Sequence, residues 1–137
     1  MRIRLFAILI IALSFWAGCS KSPPYVGTWD WLGTPGQGTD GANIEIKADG
    51  SFSVFLSGTV NDWHSGTYTV ASSNANDIKF TIQVQNSLHE EHPAMDSGLS
   101  GGTLEWTKDA DSGKEYISYS YRHVGGRGES FRLEKTK

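Results

Sequence analysis

The chain has 137 residues with 12 basic and 15 acidic side chains and a formal net charge of −3, a balance that argues against a nucleic-acid partner. A single cysteine excludes an intramolecular disulfide, so the fold must be held by packing. Sixteen glycines and no stretch of helical periodicity point to an all-β domain.

The N-terminus reads Met-Arg-Ile-Arg, then an apolar run from Leu5 to Trp16, then Ala17-Gly18-Cys19-Ser20. Basic residues, a short apolar run and small residues before a cut site describe an export signal. The run falls short of the roughly 20 apolar residues that span a bilayer. The position of Cys19 directly after Ala-Gly resembles the lipobox of bacterial lipoproteins. That resemblance implies that residues 1–18 are removed as a signal peptide and that Cys19 is lipidated, with palmitate among the acyl chains. Residues 19–24 then form a lipidated tether, and residues 25–137 the folded domain. Several acyl chains on one residue hold a protein to a membrane surface, where a single chain binds only marginally. Ser20 in the second mature position implies the periplasmic face of the outer membrane in a Gram-negative cell. The alternative is an ordinary secretory signal or uncleaved anchor with a buried free thiol. Loss of Arg2 and Arg4 leaves ten basic residues against fifteen acidic ones, a mature net charge near −5.

Lys21-Ser22-Pro23-Pro24 is a short extended tether. Tyr25 to Leu32 reads as a first strand and Gly33 to Gly41 as a loop. The loop's Gly36-Gln37-Gly38-Thr39-Asp40-Gly41 fits a three-glycine nucleotide pattern, but that pattern needs a helix after it. Ile44-Glu45-Ile46 follows instead, a strand, so no cofactor is expected. Ile44 and Ile46, then Phe52, Val54 and Leu56, alternate across Asp49-Gly50, a strong hairpin signal. Ser65 to Val70 forms the next strand after a polar gap, and Ser72 to Asp77 a polar turn.

Ile78, Phe80, Ile82 and Val84 then alternate with polar residues as a half-buried strand. Asn86 to Gly102 lacks periodicity and reads as a long loop. Leu104 and Trp106 mark a strand, and Asp109 to Lys114 a turn. Tyr116 to His123 forms another strand, Gly125 to Gly128 turns the chain, and Phe131 and Leu133 mark the last strand.

Eight sequential short strands close naturally into an antiparallel up-and-down barrel, which removes exposed edges. Gly27-Thr28-Trp29, Asp49-Gly50-Ser51-Phe52 and Gly66-Thr67-Tyr68 make the chain similar to bacterial lipocalin-like lipoproteins. The resemblance implies a calycin-type meander, with Trp29 at the barrel floor and Arg132 as the basic residue lying against it. It also implies a membrane-anchored envelope protein that binds a small hydrophobic ligand. The aromatic candidates for such a site are Trp29, Tyr68, Trp106, Tyr119 and Tyr121, although filling the core is the simpler task for them. The second reading is a non-enzymatic interaction or inhibitor module docking on another envelope protein, with a filled interior and an exposed aromatic or acidic patch.

His89-Glu90-Glu91-His92, with Asp96 nearby, has metal-ligand chemistry. Its His spacing and Pro93 do not fit the helical zinc-protease motif, so His89 and His92 read first as a solvated loop. No serine sits in a nucleophile elbow and Cys19 is committed to the anchor, so no enzyme activity is expected.

Overall fold

A computed structural model of the chain describes residues 21–32, 39–58, 62–89, 99–123 and 128–136. Its strands are β1 (Gly27–Leu32), β2 (Thr39–Ile46), β3 (Ser51–Gly58), β4 (Asp62–Ser73), β5 (Asp77–His89), β6 (Leu99–Lys108), β7 (Glu115–His123) and β8 (Gly128–Lys135). Each pairs antiparallel with the next, and β8 returns to β1 through Trp29↔Lys135 and Asp30↔Glu134. The sheet is therefore a closed eight-stranded meander, and the described residues contain no helix.

Local chemistry sets the hairpins. At the β2–β3 turn Gly50 takes φ 89°, a left-handed conformation that a side chain would oppose. The Asp49 carboxylate accepts hydrogen bonds from the Ser51 amide (2.9 Å) and hydroxyl (2.6 Å). These bonds, the hydroxyl foremost, hold the Asp49 carboxyl below its usual range. Between β6 and β7 the Asp109 carboxylate accepts the amides of Asp111 (3.0 Å) and Ser112 (2.7 Å) in the same manner. Each carboxylate satisfies turn amides that have no ladder partner.

Period-two alternation then chooses the inside. Ile44, Ile46, Phe52, Val54 and Leu56 are buried, while Glu45 and Phe55 between them are exposed. The same parity buries Ile78 and Phe80, Leu104 and Trp106, Ile117, Tyr119 and Tyr121, and Phe131 and Leu133. Trp29, Ile44, Ile117, Tyr119 and Leu133 have no accessible surface at all, so no solvent-sized space borders them.

Several boundaries differ from the sequence expectation. β4 begins at Asp62 and runs to Ser73, and β5 extends to His89, because the backbone ladder continues beyond the alternating apolar stretch through Ser65↔Asn86, His64↔Ser87 and Trp63↔Leu88. β6 begins at Leu99, so both ends of the expected Asn86–Gly102 loop are strand; its remainder, residues 90–98, lies outside the described residues. β2 starts at Thr39, inside the glycine-rich stretch. β1 starts at Gly27, two residues after the expected Tyr25.

Tyr25 instead closes one end of the barrel. Its ring packs edge-on against Phe80 (4.9 Å between centroids) and Tyr68 (5.8 Å). Its carbonyl accepts the Trp29 indole N–H at 3.0 Å. The Val26 amide bonds back to the Pro23 carbonyl (3.0 Å), and the Lys135 ammonium donates to the Pro24 carbonyl (2.9 Å). This end, here the floor, also carries the β2–β3, β4–β5 and β6–β7 turns. The far end is marked by Leu32, Gly58, His89 and His123.

Candidate binding site

The five predicted aromatics are all in the core, but the barrel sorts them into two groups. Trp29, Tyr68 and Trp106 belong to the floor half. Trp29 is sealed beneath Tyr25, and the Tyr68 hydroxyl donates to the Lys47 carbonyl at 2.6 Å. Burial, with a smaller contribution from Tyr25, pushes the Tyr68 phenol up to about 12. Trp106 is 3% exposed, and its indole N–H finds no acceptor among the described residues.

Tyr119 and Tyr121 follow on β7 toward the far end, where they meet His64. His64 is the one buried polar side chain among the described core residues, 2% exposed. Its Nδ1 lies 3.1 Å from the Tyr119 hydroxyl, and its ring stands edge-on to Tyr121 at 4.8 Å. Desolvation raises the Tyr119 phenol well above its ordinary value, so it stays a neutral hydrogen-bonding partner. The Tyr121 hydroxyl donates to Glu129 (3.1 Å), and its ring stacks on Phe131, which in turn meets Trp31 at 5.3 Å. Trp31 is only half-buried, opposite Ala42 across the β1–β2 pair. The far half is therefore an aromatic wall around one polar pair, with Trp31 as its accessible member.

His64 was not a sequence candidate because it sits in the polar gap before Ser65. Counting back by twos from Tyr68 through Gly66 reaches it. Tyr25, Phe131 and Lys135 were also missed. The resemblance placed Arg132 against Trp29, and the structure corrects this. Arg132 points outward, its guanidinium 3.8 Å from the Tyr116 ring centroid. Lys135 supplies the cation instead, its ammonium 5.3 Å from the Trp29 ring. Register explains the difference: Lys135 is opposite Trp29 and shares the inward parity of Phe131 and Leu133.

Cys19 and His92 lie outside the described residues, and of His89 only the backbone is described, paired with Asp62 at the end of β5. Among the described residues no three His, Cys, Asp or Glu side chains gather as a metal site. On the outer wall Phe55 (46% exposed) and Trp63 (39%) are cross-strand partners, an exposed aromatic pair in the far half. Comparison with protein-family models, with curated proteins and with solved structures found no match.

Proposed function

We propose that this chain is a membrane-tethered, lipocalin-like lipoprotein of the bacterial cell envelope that works by binding a small hydrophobic ligand rather than by catalysis. The observation that carries this reading is the asymmetry of the barrel. One end is plugged by Tyr25 over Trp29, while the other presents half-buried Trp31 beside Phe131 and Tyr121. Because the floor and middle are filled, a ligand would seat only in the far half and would be small. Apolar lining with few polar groups is the ordinary composition of such sites. The His64–Tyr119 pair lies buried behind this lining and braces it.

A fluorescent acyl probe titrated into protein spanning residues 20–137 tests the reading. Saturable binding that weakens several-fold in Trp31→Ala is the expected result. A probe that stays in water, or that binds the variant equally well, refutes it.

The outer Phe55–Trp63 pair favours a second reading, docking on another envelope protein. Exposed aromatics of this kind are enriched at protein interfaces. Phe55→Ser and Trp63→Ser together should abolish a partner's capture and leave the acyl probe's affinity unchanged.

A further inference from the structure

We infer that the anchored barrel stands on its floor, with the Trp31–Tyr121–Phe131 end turned away from the membrane, so that its ligand is taken from the aqueous compartment and not lifted from the anchoring bilayer. The inference rests on the proposed lipidation of Cys19 and on the binding end proposed above.

The reach of the tether sets this posture. The chain arriving from Cys19 turns through the Val26 amide to Pro23 carbonyl bond and is fastened to the floor at two points, Pro24 carbonyl to Lys135 and Tyr25 carbonyl to the Trp29 indole. Only residues 19–23 precede these fastenings, and five extended residues span at most about 18 Å. An eight-residue strand such as β3, rising ~3.3 Å per residue and tilted ~40°, makes the wall roughly 20 Å tall. The free tether is shorter than the wall, so the barrel cannot invert and bring its far end down onto the bilayer.

Among the described residues Val70 is the one large apolar side chain exposed in the floor half, too little to favour insertion. The floor turns carry Lys47, Asp49, Asn74, Asn76, Asp109, Asp111 and Lys114, a mixed polar set without a basic patch. A mature charge near −5 also gives an anionic surface no reason to draw the wall down. The ligand class follows from this posture. It is a small apolar molecule or amphiphile that reaches the far end through water.

The test uses the full chain, purified from bacterial membranes and reconstituted into phosphatidylcholine–phosphatidylglycerol vesicles. Ala75→Cys marks the floor turn and Ser130→Cys the far half, both at exposed positions. Each is labelled with a fluorophore and challenged with a spin-label quencher attached to lipid headgroups. Quenching several-fold stronger at position 75 than at position 130 is expected, and ten Gly/Ser residues inserted after Ser22 should erase much of the contrast. Equal quenching at both positions, or stronger quenching at position 130, in protein whose intact mass includes the acyl chains, overturns the posture alone. Protein whose mass lacks the acyl chains and which stays off the vesicles overturns the anchor reading, and this inference with it.

Discussion

Replacing Gly66 with alanine puts a methyl group where the barrel has no room for one. A Cβ at this position would lie 2.0 Å from the Gln83 carbonyl oxygen and 2.9 Å from both the Gln83 carbonyl carbon and the Val84 Cα. All three atoms are backbone of β5, at the point where the β4–β5 register slips by a bulge between Ser65 and Gly66. A side chain could rotate away, but this backbone can retreat only by breaking ladder hydrogen bonds. Overpacking costs about 1–3 kcal/mol, and a backbone clash belongs at the upper end, ~3 kcal/mol. For a domain of this size each kcal/mol lowers Tm by roughly 4–5 °C, so Gly66→Ala should melt about 12–15 °C below the parent. Gly102→Ala is the internal control. Its closest contact is the mobile Cδ1 of Ile82 at 2.9 Å, with the Ser120 carbonyl oxygen at 3.1 Å. Partial relief by the Ile82 rotamer should keep its cost near ~1 kcal/mol. Thermal melts followed by circular dichroism, paired with urea titrations, measure both. A Gly66→Ala protein melting within about 3 °C of the parent, or more stable than Gly102→Ala, would refute the close-approach argument.

Other perturbations test other parts of the structure. Tyr119→Phe deprives buried His64 Nδ1 of its hydroxyl partner and should cost about 1–3 kcal/mol in urea unfolding. Lys135→Ala should shift the Trp29 indole N–H resonance in an NMR spectrum, whereas Arg132→Ala, whose cation lies on Tyr116, should leave it in place. Asp49→Asn should matter only above the ordinary carboxylate range. The lowered pKa means that ionised Asp49 adds stability present above the unfolded value of 3.8, and that stability is lost as pH falls through the folded one. The variant's deficit should therefore be constant near neutral pH and close in acid. Glu105 has the opposite sign. Its pKa is raised, first by a hydrogen bond shared with the Asp77 carboxyl and then by burial. Its contribution is present below 4.5 and lost as pH rises through the folded value. Glu105→Gln should therefore be the more stable protein at neutral pH, an advantage that disappears in acid.

Much of this barrel was legible because it is built from alternation. Ile44 to Leu56, Ile78 to Phe80 and Ile117 to Tyr121 show one buried face each, and the Asp49-Gly50 turn fixes the register of the first pair of strands. The extensions of β4 and β5 were not legible. Their residues pair through backbone groups, which leave no hydrophobic pattern, and the bulge opposite Ser65/Gly66 shifts the parity of β5 while the one between Val70 and Ser72 shifts that of β4. The candidate site was legible as a set of aromatics but not as two halves, because division into floor and far end depends on strand tilt and closure. His64 shows the limit most clearly. A histidine amid Asp62, Trp63 and Ser65 reads as surface, and its burial follows only once β4 is extended back to Asp62. Lys135 was readable by parity from Leu133, yet its role depends on β8 meeting β1, a closure that no local pattern encodes.

Native mass spectrometry of protein spanning residues 20–137, after exposure to a bacterial membrane lipid extract, tests the binding account most directly. A retained small mass that is lost on denaturation, and absent from Trp31→Ala, is the predicted result. A bare polypeptide mass under the same conditions would contradict it and turn the search toward a protein partner at Phe55 and Trp63.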